Sequence, residues 1–98
     1  MKSVADCKNI QEVRDSIDVI DRDIIRLIGS RAKYVTKAAE FKSNEQDVRA
    51  TNRVDAMLKT RKIWAAEENI SPEIIEKIYR DLVAYFVAEE LHNWKERL

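Results

Sequence analysis

Apolar residues recur along the first third of the chain at spacings of three and four. Val13, Ile17, Ile20, Ile24 and Leu27 form one stripe, which Val35 and Ala38 extend. That spacing marks one face of an α-helix. No proline interrupts it, so the pattern predicts a helix from about residue 9 to about residue 41. At 1.5 Å per residue such a helix is ~48 Å long. The rest of a 98-residue chain cannot cover a rod of that length, which is therefore expected to pair with a second copy. Residues 43–50 are polar and break the pattern, as a loop would. Thr51 or Asn52 suits the N-cap of a second helix, which carries Val54, Met57, Leu58, Arg61 and Trp64 on one side. It is expected to end near Asn69, a residue type that tolerates the left-handed conformation after a helix. Ser71-Pro72-Glu73 then supplies a capping serine, a proline for the first helical position and an early acid, a strong start signal. The third helix runs to near the C-terminus with Ile75, Ile78, Tyr79, Leu82, Val83, Phe86, Val87 and Trp94 inward. The predicted fold is all-α: one long, one short and one medium-long helix in a single domain, residues 1–98.

Composition agrees with helices. One glycine (Gly29) and one proline (Pro72) are too few for the tight turns of a β-rich fold. Eighteen basic residues balance eighteen acidic ones, without the basic excess of a nucleic-acid binder. The apolar runs are far shorter than the ~20 residues that span a bilayer. Met1-Lys2-Ser3-Val4-Ala5-Asp6 has no stretch suited to a signal peptide, and the lone Cys7 cannot form an intrachain disulfide. These features point to the cytoplasm, with no membrane and no nucleic-acid partner. Cys7 reads as a bystander, because His92 is the only histidine available to activate it. His92 also has no companions at metal-ligand spacing, so no metal is assigned, and no phosphate-binding glycine loop is present.

The informative residues are charges on apolar stripes. Extending the first stripe leads to Arg31 and then to Lys42, eleven residues apart or close to three turns. A cation on a core-facing seam needs a partner. An ion pair or a solvent-reaching side chain would satisfy either alone; the two together favour an anion site. Glu90 falls in line with Val83, Phe86 or Val87, and Trp94, while Glu89 reaches solvent. A carboxyl group among apolar neighbours is disfavoured in its charged form, and such groups cluster at functional sites; a salt bridge to Arg31 or Lys42 is the plainer alternative. Arg14 lies beside the stripe, seventeen residues from Arg31, or ~25 Å along a helix. If both serve one site, Arg14 comes from another chain, as a two-fold pairing of long helices allows. Taken alone, Arg14 reads as a solvated surface arginine.

Arg14, then Ile17-Asp18-Val19-Ile20-Asp21, then Ile28-Gly29-Ser30-Arg31, then Lys42 resembles the opening helix of the AroQ-type chorismate mutases. A further arginine opening their second helix is matched by Arg53. The resemblance covers nearly the whole chain and implies an intertwined helical homodimer. It also implies a dicarboxylate substrate held by Arg14 of one subunit and Arg31 of the other, with no cofactor. Within that superfamily Asp6-Cys7, Trp64-Ala65-Ala66-Glu67-Glu68-Asn69 and Ala88-Glu89-Glu90-Leu91-His92-Asn93-Trp94 resemble the isochorismate-pyruvate lyase branch of salicylate biosynthesis. Typical bacterial mutases flank the second-helix arginine with acids that meet the C4 hydroxyl of chorismate; here Ala50 and Val54 stand there. Losing those partners reduces discrimination for that alcohol, and isochorismate carries its hydroxyl at C2. Glu90 departs from the glutamine typical of lyases, although some mutases use glutamate. Only its protonated form donates to an ether oxygen.

The implied reaction is pericyclic, giving salicylate and pyruvate from isochorismate or prephenate from chorismate. Lys42 and Glu90 are the expected catalytic residues at the ether oxygen, with Arg14, Arg31 and Arg53 as further binding residues. The reading of another class is a non-catalytic helical dimer, a regulatory or scaffolding module with a vestigial pocket.

Overall fold

The structure is a computed structural model and describes residues 2–96. Among the described residues four α-helices follow a short 3-10 turn at Val4–Asp6: α1 (Ile10–Ala39), α2 (Glu45–Arg49), α3 (Thr51–Glu67) and α4 (Pro72–Glu96). No strand occurs among the described residues. The contacts divide the chain after Val35 into two units.

The first unit is the 3-10 turn and most of α1. Asn9 caps α1 by accepting from the Glu12 backbone N–H at 2.8 Å. Glu12 reaches back to the Lys8 N–H at 3.0 Å and to the Lys2 ammonium at 2.9 Å. The backbone donor first, and the ammonium second, hold the Glu12 carboxyl below its ordinary range. The long helix expected from the apolar spacing is thus present, and it buries no residue. Val13, Ile17, Ile20, Ile24 and Leu27 are all exposed. Cys7 lines an apolar hollow with Val4, Val13, Ile17 and Ile20.

The second unit begins with the last turn of α1. Helical bonding gives way there to three-residue turns, from Glu40, Phe41 and Lys42 N–H to Lys37, Ala38 and Ala39 carbonyls. Lys42 therefore lies three residues beyond the last residue of α1. Residues 43–50, expected as a loop, contain α2. Asn44 accepts from the Asp47 N–H at 2.8 Å and Asp47 accepts from the Ser43 N–H at 2.9 Å, a reciprocal cap of the kind that starts helices. Glu45 and Arg49 pair one turn apart at 3.1 Å. Val48 is the apolar anchor, 3% exposed, and α2 packs on α4.

Neither Thr51 nor Asn52 caps α3. Ala50 occupies that position in the left-handed region (φ 41°, ψ 49°) without a side-chain cap bond, because it also closes α2 through its N–H to the Gln46 carbonyl. The far end of α3 behaves as its sequence suggests. Asn69 is left-handed (φ 59°), and the Ile70→Ala65 and Asn69→Ala66 backbone bonds form a Schellman stop. Ser71 caps α4 through the Ile74 N–H, and Pro72 is its first residue. The short turn makes α3 and α4 packed neighbours. Their core includes Met57, Leu58, Ala65 and Leu91. Ile78, expected inward, is 52% exposed, and Tyr85 is exposed as well. Arg61 on the apolar side of α3 lies beside two rings, its guanidinium 4.8 Å from the Trp64 centroid and 5.7 Å from that of Tyr79, while its Nε is shielded from solvent without a hydrogen-bond partner.

Candidate functional site

Helix periodicity puts Glu90 on the half-buried line of α4 with Val83, Phe86, Val87 and Trp94. The turn after α1 delivers Lys42 to it. The Lys42 ammonium lies 3.1 Å from Oε1 of Glu90 and 3.2 Å from Oε2, and the two side chains are 22% and 10% exposed. Oε2 accepts the directed hydrogen bond. Oε1 is shielded from solvent and accepts none, so the ammonium serves it by charge alone. Of the alternatives left open by sequence, the salt bridge to Lys42 is the contact observed. Arg53 is exposed near the start of α3. Ala50 and Val54 beside it are half-buried and apolar, leaving no carboxylate at either position.

Arg14 and Arg31 both belong to the first unit. Arg14 is exposed. Arg31 is half-buried, with Nη1 shielded from solvent and without a hydrogen-bond partner. One straight helix holds them ~25 Å apart, so a single copy does not bring them together. Among the described residues no group of three His, Cys, Asp or Glu is placed to hold a metal ion, and no helix is long and apolar enough to cross a membrane. His92 contacts Glu96 at 3.1 Å. Glu89 turns to the Tyr85 hydroxyl; that hydrogen bond, and then the carboxylate charge, raise the phenol above its ordinary value.

Residues 13–91 match the family model for chorismate mutase type II. The chain belongs to that family. Among its relatives, the isochorismate pyruvate lyase of Pseudomonas aeruginosa is 34% identical over 96 residues, which cover 98% of this chain and 95% of that protein. The T-protein of Haemophilus influenzae is 29% identical over 82 residues, covering 83% of this chain and 22% of the larger protein. Lys42 and Glu90 form their ion pair within the second unit, between the turn after α1 and α4. Sequence reading missed Val48, which anchors the segment after Lys42, and Leu91, buried next to Glu90. The signal for the first was Asn44 followed three residues later by Asp47.

Proposed function

We propose that this chain is an isochorismate-pyruvate lyase, converting isochorismate to salicylate and pyruvate in a cofactor-free pericyclic reaction, with a weaker chorismate mutase activity. The observation that carries this reading is the similarity to a lyase along almost the full length of both chains. The apolar pair Ala50 and Val54 supports the same branch, since neither residue meets a C4 hydroxyl. The similarity to the T-protein and the family match support the mutase activity as the second reading. The family match spans both structural units, in keeping with one functional domain over residues 1–98.

The reading requires two copies. The apolar stripe of α1 is exposed in one chain, and pairing it with a second copy buries it. The same pairing brings Arg14 of one subunit toward Arg31 of the other. Each guanidinium then holds one carboxylate of the substrate through paired N–H groups, and the unpartnered Nη1 of Arg31 gains an acceptor. Holding both carboxylates folds the enolpyruvyl arm over the ring in a near-attack conformer. Lys42 places positive charge where the ether oxygen becomes negative, and protonated Glu90 donates a hydrogen bond to it. In the lyase reaction hydrogen passes from C2 to the arm's methylene as the C–O bond breaks. Arg53 holds a carboxylate or keeps the site closed, and residues 43–50, which follow Lys42, close over the ligand. The substrate is a small dicarboxylate; no membrane or nucleic acid takes part, and the cytoplasm is the proposed compartment.

The test is to supply isochorismate and chorismate separately and to follow salicylate fluorescence and prephenate. Salicylate from isochorismate, faster than prephenate from chorismate, is expected. Prephenate without salicylate makes the chain a mutase, and a folded dimer that forms neither product and gains no thermal stability from a dicarboxylate transition-state mimic is a scaffold.

A further inference from the structure

Among the described residues three solvent-shielded side-chain atoms lack a hydrogen bond: Nη1 of Arg31, Oε1 of Glu90 and Nε of Arg61. The functional reading uses the residues of the first two, and Arg61 lies outside it. The residues three and four positions from Arg61 on α3 are Met57, Leu58, Trp64 and Ala65, so its own helix offers no acid. On α4 its guanidinium meets the Tyr79 ring, while Glu76 is taken by Lys62 at 3.9 Å and by Arg80 at 3.3 Å. Trp64, which lies against the guanidinium, is exposed, and so are Ile74 and Ile78 of α4.

The complementary defect is on α1. Three and four positions from Asp21 stand Ile17, Asp18, Ile24 and Ile25, with all three isoleucines exposed. No cation is at that spacing, and Asp21 makes no ion pair among the described residues, whereas Asp23 holds Arg26 at 3.7 Å. Asp18 differs, because Arg14, Asp15, Asp21 and Arg22 surround it at the same spacing. Covering the isoleucines also takes the Asp21 carboxylate out of water, which is costly without a partner. Resting on the two-copy reading above, we propose that Asp21 of one subunit pairs with Arg61 of the other, docking the apolar face of α1 beside Trp64, Ile74 and Ile78. Nε and one Nη of Arg61 present the fork that a carboxylate matches, and the two rings hold the guanidinium plane. Two-fold symmetry makes the contact twice. The pair also fixes the register of an apolar contact that has little direction of its own, since sliding α1 by one turn leaves both charges buried and unpaired.

Sedimentation equilibrium of the full chain tests this through the dimer dissociation constant. Asp21→Arg sets two cations against each other and Arg61→Asp sets two carboxylates, so each variant alone is expected to raise Kd roughly 30-fold or more. An equal mixture of the two variants is expected to form a heterodimer of near wild-type affinity, because both of its contacts again join opposite charges. Single variants that dimerise like wild type, or helical variants that do not recover on mixing, overturn the pair and leave the functional reading to the wild-type assay on isochorismate. A wild-type chain that stays monomeric overturns the pair together with the two-copy requirement of that reading. Should Arg61→Asp fail to fold, Arg61→Gln and Asp21→Asn take the place of the charge swaps: increases in Kd that do not add in the double variant are expected, and additive ones overturn the pair.

Discussion

Lys42 and Glu90 are 48 positions apart and still meet at 3.1 Å, because the turn after α1 and the half-buried line of α4 face one another. A polar side chain on an apolar line was the sign by which Glu90 was legible. Arg61 shows the limit of that sign. It too sits on an apolar side, where its guanidinium lies by two aromatic rings and its Nε has no hydrogen-bond partner. Helical spacing also led to Lys42 for an incomplete reason, since α1 stops at Ala39 and the lysine reaches its partner from outside the helix. If Lys42 stabilises the developing charge on the ether oxygen, Lys42→Ala lowers kcat by about 10²–10³-fold with a smaller change in KM. A steady-state series on isochorismate checks this, and a loss confined to KM would reduce Lys42 to a binding residue.

Helix ends explain most of what was readable about elements. Asn69 and Ser71-Pro72 carry their stop and start signals within a few residues, and the structure uses both. The α2 segment was harder because its composition is polar and its single apolar residue, Val48, only matters against α4. Val48→Ala removes buried methyl groups and is expected to cost about 2 kcal/mol. The loss should concentrate in α2, so amide exchange at Ala50, bonded to the Gln46 carbonyl, should accelerate more than exchange within α3. Equal acceleration throughout would mean that α2 is not a separable element. At the start of α4, Glu73 is held below its ordinary value by its own backbone N–H first and by Ser71 second. The folded state therefore favours the ionised form. That contribution is present above the unfolded carboxyl pKa and is lost as pH falls through the folded value. Ser71→Ala is expected to cost ~1 kcal/mol at neutral pH, with the gap in melting temperature from wild type narrowing in acid. A gap that widens in acid would show that the Ser71–Glu73 contact does not favour the charged carboxyl.

At the scale of the molecule, α1 is a helix with an apolar stripe and nothing buried along it. Its 30 residues extend ~45 Å, beyond what a small domain covers by itself. Two copies sharing each site have a distinctive genetic signature. Arg14→Ala and Arg31→Ala should each be nearly inactive alone. Unfolded and refolded together in equal amounts, they should recover about a quarter of wild-type activity, because half of the dimers are mixed and each mixed dimer has one intact site. No recovery, from a mixture shown to exchange subunits, would mean that the two arginines do not meet across an interface.

Local information determined the helices α1, α3 and α4, the stop at Asn69, the start at Ser71 and the family. Each depends on residues within a few turns of one another, or on motifs that keep their order along the chain. Periodicity also marked the polar residues lying on apolar lines. The choice among their partners required folded coordinates, because an ion pair between positions 42 and 90 depends on where a helix ends and what packs on its neighbour. The same holds for α2, whose only apolar anchor becomes visible once α4 supplies the surface that buries it.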